Sequence, residues 1–410
     1  MMEHSFKLVP MDQAKYASYK REVIFSCHKW DPQIGDTNSI SEHAVLLNSI
    51  TAQNLSRWAE SLYSETISCE RELIQRPELW GQLGLSKKIR EALARTEGRL
   101  PNNAIPLMRF DFHPTENSDW ALSEVNRDVP GGFAEASELP KIASKYFNAE
   151  VPFKKSVIQV LCEKLEERIV DKKLVAFVLC TSYTDDMQVM KAISQEIKQK
   201  EYPVIFIAPD HIRWQNKIPI SIAEGQDGEI GAIVRFFPAE WMSNLPSKCG
   251  WPNFFAHTVP AANHASAIIT QSKRLPLIWG QLGVDVTTWK RFLPETKEAS
   301  VALKNDNKEW VLKPAFGRVG EGITVPNTMP ENEVKKIRWR ARFFSNDWVS
   351  QKLFIAKKLL NFKGIPQYLC VGVFVVDGKA CGFYGRIADI PRISLHAQDI
   401  PVLIQGDENE

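Results

Sequence analysis

Two short apolar runs, residues 174–181 (LVAFVLCT) and 203–208 (PVIFIA), flank a stretch from Asp186 to Lys200 whose apolar residues recur at helical spacing. Neither run shows the polar alternation of a half-buried strand, so both of its faces must be covered. A covered strand, a helix and a second covered strand make a parallel, right-handed βαβ unit. The middle of the chain must therefore fold as layered α/β structure, with residues 230–237 (IGAIVRFF) as a further strand. Upstream, between Ser41 and Thr96, Leu46, Leu47, Ile50, Leu55, Trp58 and Leu62 keep helical spacing and predict a helical entry region. Downstream, residues 310–313, 322–325, 348–353 and 369–376, the last ending in a hairpin-like Asp377-Gly378, predict a second, mainly antiparallel sheet. No internal repeat or low-complexity linker separates these regions.

A chain of 410 residues exceeds one usual core, which predicts two or three lobes. The division read from the pattern is residues 1–105, mainly helical; 106–272, an α/β lobe; and 273–410, a nucleotide-binding lobe. With 51 lysines and arginines against 49 acids, the net charge is only +2, which gives no bulk electrostatic reason to bind nucleic acid. The seven cysteines, at 27, 69, 162, 180, 249, 370 and 381, form no C-x-x-C pair and suggest neither a zinc ribbon nor a disulfide framework. A reducing cytoplasm is the expected setting. The N-terminal MMEHSFKLVPMDQAKY is too polar for a signal peptide, and no apolar stretch is long enough to span a bilayer.

Two segments carry chemistry. Residues 310–325, WVLKPAFGRVGEGITV, place Lys313 beside Gly317, Gly320 and Gly322. Glycines allow backbone N–H groups to approach a phosphate and an ammonium neutralises it, although a plain hairpin explains the same pattern. Residues 108–126, MRFDFHPTENSDWALSEVN, contain two alternating runs. Residues two apart in a strand share a face, so Arg109 joins Asp111 and Glu124 joins Asn126. Paired, the two strands would gather one cation and three oxygen ligands suited to Mg²⁺; a solvated hairpin with cross-strand charge pairs is the plainer alternative.

Together these segments resemble the glutathionylspermidine synthetase-type enzymes. Arg109-Phe110-Asp111 and Glu124-Val125-Asn126 are similar to the family's R-F-D and E-Y-N segments, and residues 313–320 (KPAFGRVG) to its K-P-x-x-G-R-x-G loop. In order between and after them, residues 234–241 (VRFFPAEW), 272–279 (SKRLPLIW), 347–351 (DWVSQ) and 382–386 (GFYGR) resemble further family segments, so the likeness spans about Arg109 to Arg386. The resemblance implies a mixed α/β chain with an ATP-grasp fold, preceded by a pre-ATP-grasp α/β lobe. It also implies an ATP-dependent carboxylate–amine ligase that works through an acyl phosphate and releases ADP and phosphate. Carried over by position, Asp111, Glu124 and Asn126 would hold Mg²⁺, and Arg109 would meet the reacting carboxylate. Lys273 and Lys313 would contact ATP phosphates; Gly317, Arg318, Gly320 and Gly322 would form the loop that closes over them. Gln351 would lie beside the adenine, and Arg386 would stabilise the transferring phosphoryl group.

The implied partners are ATP, Mg²⁺, a small carboxylate such as a peptide, and an amine, with homo-oligomerisation open and neither nucleic acid nor membrane expected. Glutathione and spermidine are not carried over, because residues 387–404 lack the family's acidic stretch and the insert 113–119 is not aligned with the family pattern. A nucleotide-binding module without turnover and a kinase are the competing classes. Other motifs read as structural: Cys27-His28 as packing; His257 and His264 as loop caps or substrate contacts without metal spacing; Asp185-Asp186 as a helix cap; and the basic run 335–342 (KKIRWRAR) as a solvated helix or a wall near ATP.

Overall fold

A computed structural model of the chain describes residues 5–27, 29, 30, 32–304, 309–318 and 320–406, so His28 and Val319 lie outside the described residues. The expected parallel unit is present. Strand Leu174–Val178, helix Thr184–Gln199 and strand Val204–Ile207 follow in order, and Val175 pairs with Val204 in parallel register. Strand Gly228–Arg235 adds in parallel on the other side of Leu174–Val178, and two short antiparallel strands, Ile212–Gln215 and Ile218–Ser221, extend that edge. Helix Val157–Glu166 opens with a capping box between Ser156 and Gln159. Its Leu161 and Leu165 join Met190, Ile193 and Ile197 of helix Thr184–Gln199 in one core with Val175 and Phe177. Asp185 and Asp186 do not cap the latter helix by side chain: its N-cap is Tyr183, and the two acids lie in the first turn, where negative charge favours the helix dipole.

A second, antiparallel sheet forms the centre of the molecule. Its strands run Gln398–Ile400, Lys379–Ala388, Pro366–Val376, Leu107–Pro114 and Trp120–Asn126, so residues near position 110 pair with residues beyond 366. The β-rich pieces after residue 310 consequently divide between two sheets. Strand Trp310–Pro314 pairs instead with Trp348–Lys352, which pairs with Thr296–Glu298. Residues 322–325, expected as the second arm of a hairpin, are not a strand. Thr324 alone closes onto the lysine strand, its Oγ1 accepting from the Leu312 N–H at 2.8 Å and its own N–H donating to Leu312 O at 3.1 Å.

Alternation assigns the two faces of the central sheet. Phe110 and Phe112 turn to the back, where they meet Trp289 and Phe292 with ring centroids 6.1 and 5.8 Å apart. Helix Ser49–Leu73, capped by Asn48 accepting from the Thr51 N–H, packs there through Leu55, Ala59 and Leu62. Each such buried aromatic or aliphatic side chain contributes about 1.5–3 kcal/mol. Leu46 and Leu47, expected in this helix, belong to strand His43–Leu47, which pairs with Phe6–Pro10 and, in parallel, with Val402–Gln405. A run of four apolar residues fits a helix or a fully covered strand equally, and the Asn48 cap stops the helix after them.

Asn263 ties the parallel sheet to the central one. Its Oδ1 accepts from the Leu107 N–H and from Arg127, while its Nδ2 donates to the carbonyls of Leu107 and Arg127. No helix among the described residues is long and apolar enough to cross a membrane.

Candidate functional site

The front face of the central sheet carries the charged residues read from the alternation. Arg109 pairs in register with Asn126, and Asp111 with Glu124. Arg109 grips Asp111 with both ends of its fork, Nε to Oδ1 at 2.7 Å and Nη2 to Oδ2 at 2.8 Å, and donates Nη1 to the Gly131 carbonyl at 2.6 Å. Its guanidinium stands 5.0 Å from the centre of the Tyr384 ring. Asn126 Nδ2 donates to Asp111 Oδ2 at 3.0 Å. Five N–H donors on a guanidinium leave two of Arg109's free for a ligand.

The next strand makes room for this pair by carrying glycine. Gly372 lies opposite Asp111, and a Cβ there would stand 2.8 Å from Arg109 Cδ and 2.9 Å from Asp111 Oδ1. Gly372→Ala should push the pair out of register. It should cost about 1–3 kcal/mol in chemical denaturation, as overpacking does, and should lower nucleotide affinity at the same time; unchanged stability and binding would mean that the strand relaxes around the methyl.

Two lysines approach from the opposite wall. Lys273, in the turn after helix Ile268–Gln271, pairs with Glu124 at 2.9 Å and donates to the Gly317 carbonyl at 2.7 Å, joining the carboxylate strand to the glycine loop. Burial alone would raise the Glu124 carboxyl, but the attraction and hydrogen bond of Lys273, with Lys313 and Arg109, together hold the group well below the usual carboxylate range. Lys313 donates to Gln351 Oε1 at 2.6 Å and to the Ser123 carbonyl at 3.3 Å. Burial lowers its ammonium to about 8, with Lys273 repelling it and Glu124 only partly compensating.

The glycine loop is anchored through Arg318, which reaches Glu240 at 2.9 Å and Asp128 at 3.3 Å. Asp128, fully buried, also holds Arg235 at 2.5 Å. Gly320 has φ +69°, and a Cβ there would collide with the Ile393 carbonyl oxygen, so this position requires glycine on two counts.

Between these walls lies a cleft of about 630 Å³. Arg109, Asp111, Glu124, Asn126, Lys313, Arg318, Gly320, Gln351 and Arg386 all line it. Lys273, Gly317 and Gly322 do not; Lys273 stands behind, spent on Glu124 and Gly317. Apolar side chains, Val311, Ile323, Leu353, Phe354 and Tyr368, also line the cleft and suit a flat base. His257 and His264 lie away from the cleft with ring centroids 4.7 Å apart and planes tilted by 54°; His264 accepts from the Ser266 N–H as a helix cap, and burial holds His257 neutral down to about 3. The basic helix Glu331–Phe343 does not line the cleft either and presents Trp339 to solvent.

Several lining residues were not among the site candidates read from the sequence. His113 bonds Ser123 Oγ at 3.0 Å and is lowered to about 4 by burial and then by Lys313. Lys29 bridges Glu135 and Asp399, each at 2.7 Å, and Tyr384 donates to Asp399 at 2.8 Å. Asp186 is raised to about 6 by burial and by its neighbour Asp185, against Arg318. No grouping of three or more His, Cys, Asp or Glu side chains is arranged to hold a metal among the described residues. The donor set here is two carboxylates and a carboxamide, all oxygen ligands on one face. That chemistry fits Mg²⁺ sharing phosphate oxygens with a nucleotide, in competition with Arg109 and Lys273 for the carboxylates.

The family model of the glutathionylspermidine synthase preATP-grasp matches residues 14–398. Among solved structures, the chain is similar to a glutathione synthetase-like effector, GSS30, from Globodera pallida in its apo form. Identity is 10%, with 96% of this chain and 98% of that chain covered and a TM-score of 0.62. A putative gamma-glutamylcysteine synthetase from Methylobacillus flagellatus KT aligns at 13% identity over 80% of this chain and 88% of its own, with a TM-score of 0.41. No curated protein sequence matches the chain.

Proposed function

Because the chain belongs to the glutathionylspermidine synthase pre-ATP-grasp family, we propose that it is an ATP-dependent ligase, joining the carboxylate of a small molecule to an amine through an acyl phosphate. One observation carries the reading: a single cleft brings the oxygen-ligand face of the central sheet, with Arg109, Asp111, Glu124 and Asn126, opposite Lys313, Arg318 and Gly320 of the glycine-loop wall. A carboxylate is a poor electrophile, and such opposed anion and cation walls suit its activation.

In this mechanism a carboxylate oxygen attacks the γ-phosphorus of ATP, the β–γ bridging bond breaks, and ADP leaves. The amine then attacks the acyl carbon, loses a proton and expels phosphate. Lys313 neutralises the phosphates, and the two remaining N–H donors of Arg109 orient the carboxylate. Mg²⁺, held by Asp111, Glu124 and Asn126, would supply further charge neutralisation. The apolar lining with Leu353 and Phe354 takes the base, and the glycine loop excludes water from the acyl phosphate. No side-chain nucleophile is required.

Incubation with ATP, Mg²⁺ and a panel of carboxylate and amine pairs should release ADP and phosphate in step with amide. AMP with pyrophosphate would refute the mechanism, and a phosphorylated product formed without amine would make the protein a kinase. Saturable ATP binding with no turnover on any pair would assign it to the non-catalytic class.

A further inference from the structure

Helix Glu331–Phe343 meets the protein along one side only. Ala341, fully buried, joins Ala302, Leu312 and Trp348 in a small core, and Ile337 packs against it. Arg338 donates to the Ala302 and Leu303 carbonyls, each at 3.1 Å. At about 3.6 residues per turn, Trp339 and Phe343 fall on the opposite side of the helix from Ile337 and Ala341. They are 60% and 63% exposed, with ring centroids 4.9 Å apart, and Phe344 at the C-cap is 56% exposed. The same spacing sets Lys336 and Arg340 along one flank of the aromatic pair and Lys335 and Arg342 along the other, all four exposed. From Val334 to Asn346 the chain contains no acid. Lys335 reaches back to Glu331, a fully solvated contact of little strength, and among the described residues no carboxylate pairs with Lys336, Arg340 or Arg342.

Aromatic rings on a ridge between two rows of unpaired cations are complementary to a surface that is anionic at its face and apolar just beneath. A bilayer carrying anionic lipid has both properties at every point: rings enter the headgroup boundary while cations on either flank reach lipid phosphates. A protein partner would have to offer an apolar groove rimmed by acids, and a nucleic acid favours a broad basic field that a chain of net charge +2 does not supply. We propose that helix Glu331–Phe343 is a docking face for an anionic phospholipid surface. It lies flat on the lipid, with Trp339, Phe343 and Phe344 in the interface and Lys335, Lys336, Arg340 and Arg342 on lipid phosphates. The contact is peripheral, since no helix among the described residues could cross a membrane. It is also independent of the ligase reading, because none of these residues lines the cleft.

Cosedimentation of the full chain with vesicles tests this, comparing pure phosphatidylcholine with phosphatidylcholine containing about 30 mol% phosphatidylserine. Wild type should bind only the anionic vesicles and should come off as salt rises to about 0.5 M. Arg340→Gln with Arg342→Gln should weaken binding about 25-fold, since each cation near such a surface contributes about fivefold. Trp339→Ala with Phe343→Ala should weaken it about tenfold or more with every charge kept, which separates insertion of the rings from charge attraction alone. All four side chains are exposed, so both double variants should melt within a few degrees of wild type. No binding by wild type, equal binding to the two vesicles, or an aromatic variant that binds like wild type would overturn the proposal. Two other outcomes would overturn it by assigning the face elsewhere. Trp339-dependent capture of a single-stranded oligonucleotide in place of vesicles would make it a nucleic-acid site. A wild-type dimer in analytical ultracentrifugation that ignores vesicles and that Trp339→Ala dissociates would make it an interface between copies of the chain.

Discussion

Replacing Asp111 with asparagine should both destabilise the protein and abolish its Mg²⁺-dependent turnover. Asp111 and Arg109 are each about nine-tenths buried, with side-chain exposures of 10% and 11%, and are joined by two hydrogen bonds. Removing one partner of such a pair leaves a guanidinium desolvated and unpaired, which costs about 3–5 kcal/mol. Because Asp111 also accepts from Asn126, asparagine there would replace one of the two acceptor oxygens with a donor NH₂ and remove the charge. The structural and chemical effects separate in the double variant Arg109→Gln with Asp111→Asn. It should recover most of the unfolding free energy, since neither charge remains, yet stay inactive. A double variant that regained turnover would show that the pair is only a strand-to-strand staple.

Loss of Lys313 should be as severe for catalysis and mild for folding. Lys313→Met keeps the volume and removes an ammonium that burial already disfavours, so the melting temperature should hold while kcat falls on the order of 10²- to 10³-fold. The pH dependence follows from the sign of the shift. The free protein's Lys313 loses its proton at about 8 rather than at the ordinary lysine value of 10.5, whereas bound phosphates favour the ammonium. ATP affinity should therefore be flat below pH 8 and fall about tenfold per unit above it, with one proton taken up on binding. The folded apo protein binds fewer protons here than the unfolded chain between pH 8 and 10.5, so this group's contribution to stability rises with pH across that window. Lys313→Met should erase both dependences; an unchanged pH profile in the variant would assign them elsewhere.

The parts of the site that could be read without coordinates are those that depend on period and sign. Residues two apart on a strand share a face whatever the partner, so Arg109 with Asp111 and Glu124 with Asn126 were legible, and their pairing follows from one short connection. The parallel unit was legible because a strand with no polar face admits only burial. Legibility failed where a choice depended on distant segments. Leu46 and Leu47 joined a strand because Val402–Gln405 was there to pair with. The expected hairpin arm at 322–325 gave way because strand Trp348–Lys352 took the ladder of Trp310–Pro314. Gly372 sits more than 260 positions from the pair it accommodates, and nothing local marks it out from other strand glycines.

By itself, then, the sequence determined which side chains stand on which face of each strand, and which segment supplies a lysine beside glycines, because those are properties of backbone geometry over a few residues. The family resemblance in the motifs added the chemistry that such residues serve. Only the tertiary structure decided which charges are already spent. It paired Arg109 with Asp111, Lys273 with Glu124 and Arg318 with Glu240 and Asp128, and left Arg386 and Arg392 on carbonyls. Apart from Arg109 with Asp111, these ion pairs join segments 78 to 190 residues apart at distances of a few ångströms, and no local pattern encodes those.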